Sequence, residues 1–317
     1  MHFNLFFMKK LLLLVACLFL TMSLFSQANY TEEFAVKDTN HLLLDVYMPT
    51  IAPPDTGFPC FVYVFGGGFI GGRRDEPMMV KAFEKLTEKG YVVVAIDYRL
   101  GLKGVTKMGI SLVNTLEYAI RLAVEDLYSA TTYLCENATR FHINPQEIMI
   151  SGGSAGAITV LQADYWLHNQ HETAKLLPSG FRYAGVISFA GAILSRNGKV
   201  KYADGDPAPT LFYHGTEDQL VNYNQTAFAN IGFFGSNKIV PQFEKFGYPY
   251  RFKRMKNYGH EVAVGLPFTL DEIDDFYHDW VKAKHKYQVD EMWYNPDYKP
   301  IEWGRTKPSG LYNKDNK

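Results

Sequence analysis

Ser154 sits at the centre of Gly152-Gly153-Ser154-Ala155-Gly156, a G-x-S-x-G pentapeptide between the apolar run 148–150 and an alanine-rich stretch that starts a helix. A free hydroxyl is a weak nucleophile and needs a base within hydrogen-bond reach. Glycines around it let a strand turn sharply into a helix, which holds the serine in a strained backbone conformation with its Oγ outward. The chemistry this pattern serves is acyl transfer. A glycine- and serine-rich turn without chemistry is the bland alternative, and the strand-turn-helix setting is what argues against it.

Acyl transfer builds negative charge on a carbonyl oxygen, and unobstructed backbone N–H groups can be aimed at that charge. The strand 61–65 runs directly into Gly66, Gly67 and Gly68, and Gly71 and Gly72 follow. The donors expected here are Gly67 and Gly68, joined by Ala155 at the positive end of the helix after Ser154. A phosphate-cradling loop is the rival reading, disfavoured because no Gly-Lys-Ser/Thr closes the segment.

After an elbow of this kind the acid and then the base follow in chain order. Asp218, just beyond the apolar strand 210–213, fits the acid, with Glu217 as its immediate substitute. His260, between the strand 250–254 and the last helix, fits the base that takes the Ser154 proton and returns it to the leaving group. His214 is the competing histidine. It precedes Gly215 in the turn that delivers Asp218, and it reads as a structural residue bonded to backbone.

The positioning elements are legible as periodic apolar runs. Residues 34–36 and 42–47 read as two strands at an antiparallel edge. Strands at 61–65, 92–96, 148–150, 184–189, 210–213 and 250–254 then alternate with helices at 79–88, 116–136, 155–166 and 270–286. Such alternation predicts an α/β fold with a mostly parallel central sheet and helices on both faces. Residues 219–247 have room for a small cap, in which Phe233, Phe234, Phe243, Phe246 and Tyr248 either line a pocket or, more commonly for such residues, pack on the core. The tail after Tyr287 has no assignable pattern.

Together the segments LDVYMP, VFGGGF, VAIDYRL, INPQEIMISGGSAGA, YHGTEDQLV and the Gly259-His260 pair resemble the secreted bacterial esterase/lipase branch of the α/β-hydrolases, near the hormone-sensitive-lipase-like and the feruloyl or acetylxylan esterase groups. The resemblance spans nearly all of the chain after its first 28 residues. It implies an α/β-hydrolase fold, Ser154 as nucleophile, Asp218 as acid, His260 as base, and Gly67, Gly68 and Ala155 as oxyanion donors. It also implies that Asp97, Tyr98 and Arg99 support the oxyanion loop. One departure stands out: Phe65 occupies the place where many relatives carry histidine before the glycine triplet.

Composition bounds the rest. A chain of 317 residues with 47% apolar and 21% charged residues can bury one large core, so residues 29–317 are expected to form a single catalytic domain. A net charge of -1 gives no surplus with which to neutralise a phosphate backbone, so nucleic acid is not an expected partner. No His-x-x-Glu-His or Cys-x-x-Cys spacing occurs, and the proposed chemistry needs no metal or organic cofactor. The expected partner is a small-molecule or polysaccharide-linked ester.

Lys9 and Lys10 precede the apolar run Leu11 to Leu20, and Ser26 and Ala28 follow, the pattern of a secretory signal peptide over residues 1–28. The run is too short and wrongly flanked for a stable membrane span. The expectation is a secreted or periplasmic protein, with lipid anchoring at Cys17 as the lesser alternative. Cys60 and Cys135 would then be the mature chain's thiols, read as free, although the compartment permits a disulfide. Two rival functions share this pattern: a serine peptidase on the same fold, and a non-catalytic binding protein that keeps the fold as a scaffold.

Overall fold

The computed structural model describes residues 28–105 and 112–308. The expected leader, Cys17 included, lies outside these residues except for Ala28. The strands are β1 (Tyr30–Lys37), β2 (Asn40–Tyr47), β3 (Phe58–Val64), β4 (Val92–Ile96), β5 (Ile143–Gly153), β6 (Gly185–Phe189), β7 (Ala192–Ser195), β8 (Thr210–Gly215), β9 (Gln225–Phe228), β10 (Ile231–Gly235), β11 (Tyr250–Met255) and β12 (Gln288–Trp293). The helices are α1 (Pro77–Glu88), α2 (Leu112–Glu136), α3 (Ala155–His168), α4 (Ser236–Phe246) and α5 (Leu270–Phe276).

Nine strands form one sheet in the order β1-β2-β4-β3-β5-β6-β8-β11-β12. β1 pairs antiparallel with β2, and β2 antiparallel with β4, which makes the expected antiparallel edge. From β4 to β12 every neighbouring pair is parallel. Parallel strands covered on both faces need apolar side chains throughout, and β4, with the sequence VVVAI, is buried at every position.

The strand period assigns the helices to faces. On β8, Phe212 meets Phe243 of α4 edge-on at 5.5 Å, whereas the next residue, Tyr213, reaches the other way to donate its hydroxyl to Glu272 of α5 at 2.7 Å. Phe243 is fully buried among Tyr202, Phe212, Tyr248 and Tyr250. Burying a side chain of that size contributes roughly 1.5–3 kcal/mol. The buried apolar residues of both faces belong to one continuous cluster.

Three segments differ from the sequence expectation. Residues 219–247 do not form a separate cap: β10 pairs with β9 and β7 in a small antiparallel sheet, and α4 lays Ile239, Val240 and Phe243 on the core. The expected helix 270–286 is α only to Phe276 and continues as a π-turn over Tyr277–Lys282. The unassigned tail supplies β12, a sixth parallel pairing at the sheet's far edge. Cys60 and Cys135 are free thiols. Among the described residues, no group of His, Cys, Asp and Glu has the arrangement of a metal site, and no helix is long and apolar enough to cross a membrane.

Candidate active site

Because β3, β5, β8 and β11 run parallel, their carboxyl ends share one rim of the sheet. In register, Val64 lies beside Gly152, Gly153 beside Phe189, Phe189 beside Tyr213, and Gly215 beside Met255. The chain that leaves these four strand ends carries Gly67 and Gly68, then Ser154, then Asp218, then His260. Residues far apart in sequence are thus brought to one rim by parallel topology.

β5 turns into α3 at Ser154, whose backbone has φ 53° and ψ -119°. This left-handed conformation costs a non-glycine residue roughly 1–3 kcal/mol and persists where its surroundings enforce it. They do so closely: a Cβ at Gly152 or Gly156 would strike the Val64 carbonyl oxygen, so both glycines are required for β3 and the turn to approach. The Ser154 N–H donates to the Phe189 carbonyl at 2.9 Å. A serine that precedes a helix ordinarily caps it with its hydroxyl. Ser154 makes no such bond, and its Oγ lies 2.8 Å from His260 Nε2 instead.

His260 opens the short 3-10 turn His260–Val264, and its Nδ1 lies 2.7 Å from Asp218 Oδ2. Asp218 Oδ1 accepts the N–H groups of Leu220 at 2.9 Å and Val221 at 3.1 Å, which leaves Oδ2 for the imidazole. With Nδ1 protonated toward the carboxylate, Nε2 is an acceptor for the serine O–H. Asp218 and His260 are only 3% and 4% exposed, so their mutual contact is shielded from bulk water. Burial acts to raise the Asp218 carboxyl, but its contacts with His214 and His260 outweigh it and hold the group below the ordinary carboxylate range. Glu217, the alternative acid, is exposed, and its N–H donates to the Tyr258 carbonyl at 2.8 Å.

The glycine loop lies against the elbow. A Cβ at Gly66 would sit 3.3 Å from Ser154 Cβ, and one at Gly67, where φ is +119°, would strike the Gly71 carbonyl oxygen. The Gly67 carbonyl accepts the N–H groups of Ile70 and Gly71 at 3.0 and 3.2 Å, so the loop is closed on itself. Gly66, Gly68 and Gly71 do fall at G-x-G-x-x-G spacing, yet no helix opens directly after them; α1 begins only at Pro77. A phosphate loop of that type needs the helix N-terminus at once. Ala155 is the first residue of α3, at the positive end of its dipole.

Phe65 takes a position that its neighbours exploit. Its ring stacks on Tyr98 at 4.4 Å between centroids, and the Tyr98 hydroxyl donates to the Phe65 carbonyl at 3.0 Å. The loop is steadied from Tyr98 where a histidine would have offered a bond of its own. Asp97 accepts from Arg74, just past the loop, at 2.8 Å, and Arg99 is held by Asp126. Sequence reasoning left one neighbour of the site without a role: Glu261 is buried beside His260 and accepts the Gly259 N–H at 2.7 Å. A glutamate after a histidine carries no local pattern that would have revealed this.

The BD-FAE family model matches residues 44–193. The chain is 34% identical over 119 residues to the cAMP-regulated D2 protein of Dictyostelium discoideum, which covers 38% of this chain and 21% of that one. It is 27% identical over 128 residues to the acetyl esterase of Salmonella typhi, covering 40% and 35%. The chain therefore matches about a fifth to a third of the length of these curated relatives. Among solved structures it resembles a thermophilic esterase of Thermogutta terrifontis, Est2 with propionate bound, with a TM-score of 0.62, 20% identity, 81% of this chain and 95% of that one. Esterase 2 of the same organism phosphoramylated by tabun gives a TM-score of 0.59 at 20% identity, covering 78% and 93%. The chain has the α/β-hydrolase fold.

Proposed function

We propose that this chain is a carboxylesterase that works through a covalent acyl-enzyme on Ser154. The observation that carries the reading is the unbroken line of contacts from Ser154 Oγ to His260 Nε2 at 2.8 Å and from His260 Nδ1 to Asp218 Oδ2 at 2.7 Å. His260 takes the Ser154 proton as Oγ attacks the ester carbonyl, and Asp218 stabilises the imidazolium that forms. The oxyanion is received by the N–H groups of Gly67, Gly68 and Ala155. Collapse of the tetrahedral species expels the alcohol, which takes its proton from His260. Water, activated by the same imidazole, then attacks the acyl-enzyme and frees the acid and the serine.

Short acyl esters are the proposed substrates, acetyl or feruloyl groups on carbohydrates among them. Residues 219–247 support this choice, because Tyr223, Phe234, Ile239, Val240 and Phe243 pack in the core and the short β9 is the one strand among them exposed throughout, which makes no large lid. We place the activity outside the cytoplasm on the leader pattern of residues 1–28. Hydrolysis of p-nitrophenyl acetate by wild type and Ser154→Ala, with circular dichroism of both, tests the mechanism. Near-wild-type turnover by a folded Ser154→Ala chain ends it. A matched ester and amide pair separates esterase from peptidase, and failure of a fluorophosphonate probe to label Ser154 favours a non-catalytic scaffold.

A further inference from the structure

The tail that the sequence left unassigned returns to the back of the histidine loop. β12 lies along β11, and the Lys256 N–H donates to the Trp293 carbonyl at 2.9 Å, where the segment leading to His260 begins. Beyond β12, the Tyr298 ring stacks on Tyr258 with centroids 3.6 Å apart and planes 17° from parallel. The Tyr298 hydroxyl then donates to Glu261 Oε1, the oxygen that also accepts the Gly259 N–H. Burial and, after it, this bond push the phenol up to about 12.

Gly304 closes the contact from the other side. A Cβ there would collide with Glu261 Oε2, and a Cβ at Gly259 would collide with the Gly304 carbonyl oxygen. Both residues that flank His260 are therefore held by the tail. Glu261 is 8% exposed, and its Oε2 has no hydrogen-bond partner among the described residues. Leaving a buried carboxyl oxygen unpaired is costly, so the contacts that close over Glu261 must offset that cost.

We propose that Glu261 is a positioning residue, which couples the His260 loop to Tyr298 and Gly304 and so holds the imidazole in line with Ser154 and Asp218. The inference rests on the acyl-enzyme reading above, since it concerns the alignment of that same base. The tail enters catalysis through this tether without touching the reacting atoms. Small displacements of a catalytic group can lower a rate by about a hundredfold, so a single tethering bond is enough to matter.

The test compares Glu261→Ala, Glu261→Gln and Tyr298→Phe with wild type and Ser154→Ala on p-nitrophenyl acetate, with active sites counted by a fluorophosphonate probe. Per titrated site, Glu261→Ala and Tyr298→Phe are expected to lower kcat about tenfold or more with KM within about twofold. Glu261→Gln keeps an oxygen acceptor for both donors, and its kcat is expected to return to within about threefold of wild type. The proposal is overturned if kcat for Glu261→Ala and Tyr298→Phe stays within about twofold of wild type. It is equally overturned if the glutamine variant is as slow as the alanine one, or if the losses vanish once titrated sites are counted. A wild-type chain that neither turns over ester nor takes the probe removes the acyl-enzyme reading itself. An active wild type with unaffected variants removes only the tether.

Discussion

His214 Nε2 stands 3.4 Å from Asp218 Oδ2, the same oxygen that meets His260 Nδ1 at 2.7 Å. With Nε2 protonated, as its 2.9 Å contact to the Val221 carbonyl requires, the same N–H also faces the Asp218 carboxylate, the proposed acid. Its other nitrogen meets the Ser236 hydroxyl at 2.9 Å, which ties α4 to the same loop. Backbone bonding of His214 was the plain reading of the sequence; its second contact, to the carboxylate, was not legible there.

His214→Phe removes a donor from Val221 and from Asp218 at a fully buried position. Leaving such groups unpaired costs about 1–3 kcal/mol, which should appear as a lower urea midpoint. Turnover per folded site should fall roughly three- to tenfold, as a close polar contact to the proposed acid is lost. Wild-type values on both counts would reduce His214 to a packing residue.

Asp218→Asn should lower kcat by about four orders of magnitude while leaving the circular dichroism spectrum unchanged, because the amide favours the wrong imidazole tautomer. Stability gives an independent reading. The Asp218 carboxyl is depressed on folding, so its contribution is present above its unfolded value and fades as pH falls through the folded one. Urea midpoints of wild type should therefore drop more steeply below about pH 4 than those of Asp218→Asn. Parallel curves for the two proteins would contradict the assignment.

His168, on α3, points the opposite way on the pH axis. Its Nδ1 lies 2.8 Å from Asp204 Oδ2, and its Nε2 lies 3.3 Å from Asp164 Oδ1 as an ion-pair contact without hydrogen-bond geometry. Burial acts to lower this imidazole, but the two carboxylates outweigh it and raise the group above its ordinary value. Stability from a raised group is complete below about pH 6.5 and is lost as pH climbs through the folded value. Thermal melts from mildly acidic to alkaline pH should show His168→Gln with a flatter decline than wild type above that point.

Tyr98→Phe deletes the bond to the Phe65 carbonyl and keeps the stacked ring. The loss of one buried hydrogen bond is expected to cost about 1 kcal/mol of stability. If Tyr98 steadies the glycine loop, kcat should also fall by about threefold to tenfold with little change in KM. Equal stability loss without any change in kcat would confine Tyr98 to packing.

Much of the frame was legible because its residues obey a local rule. Val92–Ile96 is apolar at every position and is a central strand with the same bounds, and the glycines around Ser154 announce a tight strand-to-helix turn. Phe243 illustrates a choice that the sequence left open, between pocket lining and core, which only its contacts with Phe212 and Tyr250 decide. β12 escaped notice for a physical reason. Its residues are exposed or half-buried at the sheet's edge, so neither alternation nor an apolar run marks them, and the pairs Arg251–Glu291 and Arg254–Asp290 that join it to β11 link segments that no local pattern relates. The link from Tyr298 and Gly304 to Glu261 was hidden likewise, since it joins segments that only the closed sheet makes neighbours.

The edge position of β12 also sets an order in time. During synthesis the elbow and the glycine loop leave the ribosome long before residues 288–305, which close over the histidine loop from behind. Wherever folding takes place, the proposed clasp of Tyr298 and Gly304 on Glu261 can form only once those residues have been made, so the last support of the base is also the last part of the site to exist in the growing chain.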